Sequence, residues 1–111
     1  MLSKKKLNSL LKSRILILDG AIGTTIQKQK LQEEDYRGKE FLKTDSDLKG
    51  NHDLLNITQP ALIKDIHKSY LKAGSDLIET NTFNSNSVSQ SDYNLSKISY
   101  KLNFEGARLV R

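Results

Sequence analysis

The chain has 111 residues, a formal net charge of +5 and no cysteine. That length supports one small domain, and the missing thiols exclude a disulfide framework, a thiolate metal site and a cysteine nucleophile built from these residues. The positive charge does not describe a nucleic-acid surface: Lys4, Lys5 and Lys6 crowd the start, the other cations are mixed with acids and tryptophan is absent, whereas nucleic-acid binders gather charge on one face with aromatics or arginines interleaved.

No run approaches the ~20 apolar residues of a membrane span. The opening "MLSKKKLNSLLKSRILIL" has a basic head before its leucines. Lys12 and Arg14 interrupt the apolar part, and no small-residue cleavage site precedes Asp19. The expectation is therefore a cytoplasmic protein rather than a secreted one.

Lys4 to Ser13 puts Leu7, Leu10 and Leu11 on one helical face. Ile15 to Leu18 is a short, continuous apolar run, the pattern of a strand buried on both faces of a parallel sheet. Thr24 to Leu31 reads as a helix with Ile26 and Leu31 inward. Gln32 to Asn56 is long, polar and weakly periodic, so it reads as a loop that is functional or covers a mouth. The clearest helix follows. Thr58 is its expected N-cap and Pro60 sits in its first turn. Leu62, Ile63, Ile66, Tyr70 and Ala73 form its apolar stripe, and Gly74 is its left-handed stop. Asp76 to Phe83 reads as a second strand and Asn84 to Ser91 as a loop or first helical turn. Leu95, Ile98, Leu102 and Leu109 line a last helix. Alternating strands and helices predict an α/β fold with parallel strands. Two strands cannot complete a core, so residues 1–111 are expected to be the first third of a (β/α)8 TIM barrel, with 1–13 as a leading helix.

Both expected strands end on an acid followed by small polar residues: "LDGAIGT" and "ETNTF". In parallel α/β folds ligands bind at the carboxyl ends of strands, so Asp19 and Glu79 are expected at one mouth. Gly20 and Gly23 permit close approach of the backbone to a ligand, and free N–H groups there form an anion nest. Acids beside such a nest fit an amino-acid zwitterion. A plainer reading stands next to this one. "DGAIGT" is then only a tight turn with Asp19 bonding local amides, Glu79 is a salt-bridged residue, and Asn81 and Thr82 hold the loop through side-chain-to-backbone bonds. The glycines follow neither the Walker nor the G-x-G-x-x-G pattern. His67 reads as a packed, hydrogen-bonded histidine. With His52 on the polar stretch it makes poor evidence for a metal site. Arg37, Gly38 and Lys39 read as solvated loop before they read as an anion site.

Taken together, "RILILDGAIGTTIQ", "EEDYRGKEF" and "LKGNHDLLNITQPALIKDIHKSYLKAGSDLIETNTFNSNSVSQSDY" resemble the N-terminal homocysteine-binding module of cobalamin-dependent methionine synthases. These belong to the wider homocysteine methyltransferase family. The resemblance implies a TIM barrel and a zinc ion on three cysteine thiolates that presents the homocysteine sulfur as a thiolate. It also implies a methyl group delivered from methylcobalamin on a separate module, and a folate module that recharges the cobalamin from methyltetrahydrofolate. Residue by residue, it places the amino-acid site at Asp19, Gly20 and Ala21, with Gly23 and Thr24 shaping the turn. Glu79, Thr80, Asn81 and Thr82 stand beside the same pocket. Ala21 replaces a glycine common in relatives and is tolerable with a negative φ or with its Cβ turned from the ligand. His52 stands where asparagine is common. The family's zinc cysteines lie beyond residue 111, so no metal ligand and no catalytic residue is expected here, and the chain alone is expected to be inactive. The expected partners are homocysteine and the cobalamin and folate modules of a parent chain, without nucleic acid or membrane. The alternatives are a cobalamin-independent homocysteine methyltransferase using betaine or S-methylmethionine, and a small non-catalytic binding domain.

Overall fold

A computed structural model describes residues 2–111; Met1, the first residue of the expected leading segment, lies outside them. Seven α-helices follow one another among the described residues: α1 (Lys4–Ser13), α2 (Ile22–Lys28), α3 (Glu33–Arg37), α4 (Leu55–Thr58), α5 (Pro60–Ala73), α6 (Ser87–Ser91) and α7 (Ser99–Val110). Single 3-10 turns, His52–Leu54 and Ser96–Ile98, lead into α4 and α7.

This corrects the expected α/β class and the expected TIM-barrel third with parallel strands: the described residues are helical and form no sheet. The two apolar segments do meet in parallel, but through one isolated bridge between Leu18 and Leu77. The N–H of Asp19 donates to the carbonyl of Leu77 at 2.9 Å, and that of Leu77 to Ile17 at 3.1 Å. The pairing stops there because the second segment turns at once, with the N–H of Thr82 returned to the carbonyl of Thr80 at 3.0 Å. Two short segments without further neighbours bury too little to extend a ladder. Ile15, Ile17 and Leu18 accordingly stay more than half or half exposed, at 84%, 54% and 50%. The continuous apolar run is here an exposed segment, not one buried on two faces.

The core lies where the sequence looked emptiest. Five of the ten buried apolar side chains (Tyr36, Phe41, Leu48, Leu54 and Leu55) come from the polar stretch Gln32 to Asn56; Ile26, Ile63, Ile66, Leu95 and Leu102 complete the cluster. The residues between α3 and the first 3-10 turn are stapled by one ion pair. The Arg37 guanidinium bonds Glu33 at 3.0 Å and the carbonyls of Phe41, Thr44 and Ser46 at 3.2, 2.6 and 2.8 Å. Glu33 in turn accepts the N–H groups of Leu48 and Lys49 at 2.5 and 2.7 Å. Burial pushes the Glu33 carboxyl up, but these amides and Arg37 outweigh it and hold the group below its usual value. Arg37 is thus spent on loop backbone and is not left for an anion.

Helix α5 keeps its expected stripe, with Ile63 and Ile66 buried, but starts after Gln59; Thr58 instead ends α4. It stops at Gly74, whose φ of 112° lies in the left-handed region that glycine enters without steric cost. Helix α1, capped by the Ser3 hydroxyl, buries no residue. It projects from the core, and the radius of gyration of 15.6 Å exceeds the about 13 Å of a compact chain this size. After α1 the chain is pinned by Arg14, whose guanidinium grips Asp76 with two bonds of 3.0 and 2.7 Å. Among the described residues, no helix is long and apolar enough to cross a membrane.

Candidate functional site

Three stretches close around a cavity of about 450 Å³: the entry to α2, the Gly50–Asp53 turn, and the Glu79–Asn84 loop, with Ser89, Asp92 and Tyr93 behind them. The bridge between Leu18 and Leu77 brings the first and third of these side by side. The Asp19 carboxylate fixes their spacing by accepting the N–H of Glu79 at 3.0 Å. The Tyr70 hydroxyl of α5 holds the first stretch by donating to the carbonyl of Ala21 at 3.0 Å.

Seven of the nine residues expected at the site line this cavity: Gly20, Ala21, Gly23, Glu79, Thr80, Asn81 and Thr82. Two do not. Asp19 sits behind the wall as the tie just described, and Thr24 points to solvent on α2. Ala21 has a φ of −64°, so its methyl group costs no backbone strain. Neither Gly20 nor Gly23 has a positive φ. At both the missing side chain leaves room instead: a Cβ on Gly20 would stand 3.4 Å from the Tyr70 hydroxyl, and one on Gly23 would stand 3.6 Å from Nδ1 of His52. Helix α2 begins without a side-chain cap, so its first N–H groups have no intrahelical acceptor and border the cavity.

The loop of the third stretch is built rigidly. Asn81, 7% exposed, donates to the carbonyl of His52 at 2.9 Å and to the Asn56 side chain at 3.1 Å; Asn56 donates back to the carbonyl of Asn81 at 2.7 Å. The hydroxyls of Thr80 and Thr82 bond each other at 2.6 Å. Helix α7 comes within reach because residue 106 is glycine: a Cβ there would lie 2.6 Å from the Thr82 methyl and 2.9 Å from the Asn56 amide. For Asn81 the plainer reading is therefore what is observed, since its side chain holds the loop.

Sequence reasoning expects the stretch Gln32–Asn56 to be functional or to cover a mouth, but names none of Asn51, His52 and Asp53, which form the second wall, as site residues. Asp53 is buried and accepts the Ser85 hydroxyl at 2.5 Å and the Asn84 N–H at 2.9 Å. Asn51 pairs with buried Gln90 of α6 through reciprocal amide bonds of 2.8 and 3.2 Å. His52 stacks on Tyr36 with ring centroids 6.3 Å apart. Its burial depresses the imidazole pKa, partly countered by Asp53, so the ring is neutral at pH 7. His67 lies on α5 rather than in the cavity. It is 2% exposed and, contrary to expectation, neither ring nitrogen has a hydrogen-bond partner among the described residues. Burial lowers its pKa and nearby Asp19 raises it.

The cavity lining contains the carboxylates of Asp53, Glu79 and Asp92 and no lysine or arginine. Asp53 is already engaged, whereas Glu79 is exposed and makes no ion pair among the described residues. Such a lining suits a cationic group near Glu79, with backbone N–H groups of the α2 entry the available donors for an anionic one. The family model for homocysteine S-methyltransferase matches residues 16–111, which include every residue of this lining. The chain belongs to the homocysteine S-methyltransferase family.

Proposed function

We propose that the cavity binds the amino-acid head of homocysteine, and that the chain serves a methyltransferase that makes methionine with methylcobalamin as donor, recharged from methyltetrahydrofolate. The observation that carries the binding step is the lining itself: two exposed carboxylates, Glu79 and Asp92, without an ion pair among the described residues, no cationic side chain, and uncapped N–H groups at the adjacent α2 entry. Glu79 takes the ammonium, and the amides of the α2 entry take the carboxylate. The thiol then extends toward the Gly50–Asp53 side. The chain's own contribution is binding and orientation, which lowers the entropic cost of bringing sulfur and methyl donor together.

The family's zinc does not fit these residues. The chain has no cysteine, and the described residues contain no group of three His, Asp or Glu able to hold a metal. No step is assigned to zinc through this chain. Zinc and cobalamin are proposed as cofactors bound by other residues, and the cobalamin and folate modules as the partners that meet this cavity.

A second reading draws on Phe83 and Tyr93, whose rings border the same cavity as Glu79 and Asp92. Aromatic faces with carboxylates favour a methylated cation, so betaine or S-methylmethionine is the alternative donor. Calorimetric titration of the chain with L-homocysteine, betaine and S-methylmethionine tests both. Saturable homocysteine binding that weakens roughly tenfold in Glu79→Gln, the loss of one charge-assisted contact, supports the proposal. Binding of the methylated cations alone supports the second reading, and binding of none refutes both.

A further inference from the structure

We propose that the imidazole of His52 sets the length of ligand that the cavity accepts; this rests on the amino-acid reading above and names the residue that gives it selectivity. His52 borders two cavities. One is the site just described. The other, about 480 Å³, is lined by Ile26, Leu31 and Tyr36 together with His52 itself. Only Gly50 and His52 border both, and Gly50 carries no side chain. Among the described residues, His52 is therefore the only one whose side chain is shared by the two cavities.

The ring is held by packing alone. It lies against Tyr36 of α3 with the ring planes 22° apart, and its Nδ1 faces the bare backbone of Gly23 at the entry to α2. Neither ring nitrogen bonds to the protein among the described residues, while the backbone of His52 is fixed at both ends. Its N–H donates to the carbonyl of Gly50 at 3.0 Å, and its carbonyl accepts from Asn81 at 2.9 Å. Shortening this side chain removes a partition without unfastening the chain that carries it. The space it separates differs in character. The first cavity is lined by acids and amides; the second offers Ile26, Leu31 and the Tyr36 ring, with Lys30 and Lys49 at its border. An amino acid with a short thiol fits the first cavity alone. A homocysteine whose sulfur carries an alkyl chain needs the second as well and meets the imidazole on the way.

The test is a titration of the full chain, as wild type, His52→Ala and His52→Asn, with L-homocysteine and S-butyl-L-homocysteine, each variant first checked by a thermal melt. The wild type is expected to prefer homocysteine. In His52→Ala the ratio of S-butyl-homocysteine to homocysteine affinity rises at least tenfold, and in His52→Asn, where the ring becomes a shorter amide, about threefold. A folded His52→Ala that keeps the wild-type ratio overturns the proposal. If the alanine variant does not fold, an unchanged ratio in His52→Asn overturns it equally. A wild type that binds neither amino acid overturns the amino-acid reading and this proposal with it, a result distinct from binding without a change in ratio.

Discussion

Asp19 Oδ2 lies 3.0 Å from the backbone nitrogen of Glu79, across 60 residues of sequence. This bond sets how far the α2 entry stands from the start of the Glu79–Asn84 loop, at the end of a seam held by the Leu18–Leu77 bridge and the Arg14–Asp76 pair. Asp19 thus acts on the cavity from behind its wall. A hydrogen bond to a charged acceptor contributes about 1.5–3 kcal/mol, less at a half-exposed carboxylate. Asp19→Ala is expected to lower stability by about 1 kcal/mol and to weaken homocysteine binding several-fold. Asp19→Asn, whose amide oxygen still accepts, is expected to fall between it and wild type. Equal affinity in all three proteins contradicts the assignment.

Gly106 sets the distance between α7 and the loop. A methyl group there meets the Thr82 methyl and the Asn56 amide inside contact distance, and overpacking of this kind costs about 1–3 kcal/mol. Gly106→Ala is expected to lose that much in urea denaturation even though alanine favours helices. A stabilised variant contradicts the packing described.

Arg37 closes the Gly38–Lys49 segment through three carbonyls and Glu33. Arg37→Ala leaves these acceptors and a partly buried carboxylate without their donor, at a cost of about 2–4 kcal/mol. Limited proteolysis is expected to cut first within Gly38–Lys49 in the variant and not in wild type.

Acid acts on the fold in two windows. The imidazoles of His52 and His67 are depressed by burial, so the unfolded chain takes up protons before the folded one. Their contribution is full above about pH 6.5 and declines as pH falls below it. Asp76, held at about 2 by the Arg14 guanidinium and the Ile17 N–H, behaves as a depressed carboxylate. Its contribution is present above about pH 4 and is lost as pH falls through about 2. His67→Leu is expected to remove the His67 share of the first window and, by deleting an unpartnered buried polar group, to raise stability at pH 5 by about 1–3 kcal/mol. Asp76→Asn removes the second. Melting curves between pH 2 and pH 8 check both (roughly the range spanned by these groups).

Helix ends were legible where single residues dictate them. Pro60 and Gly74 bracket α5 because one lacks an N–H and the other tolerates left-handed φ. The α1 span and the inward Ile26 followed from spacing. The sheet was misread because a continuous apolar run has the same appearance whether buried on two faces or left exposed, as Ile15 and Ile17 are. The core of Gln32–Asn56 was hidden because Tyr36, Phe41 and Leu48 share no period; Arg37 and Glu33 fold that stretch by capping its backbone groups, a pattern invisible to hydrophobic spacing. At the site, the strand-end motifs marked two walls. The third, Asn51–Asp53, lay within a stretch expected to be functional or to cover a mouth, but its residues were not singled out as site residues because they lie far in sequence from both and meet them through tertiary contacts with Gly23, Asn81, Asn84 and Ser85.

The central claim is that the cavity between the α2 entry, the Gly50–Asp53 turn and the Glu79–Asn84 loop holds an amino acid. Following backbone amide shifts by NMR while L-homocysteine is added measures this directly. Saturable shifts at Gly20–Gly23, Gly50–Asp53 and Thr80–Asn84 are the predicted result. Absence of saturable shifts, or shifts confined to residues outside these three stretches, would contradict it.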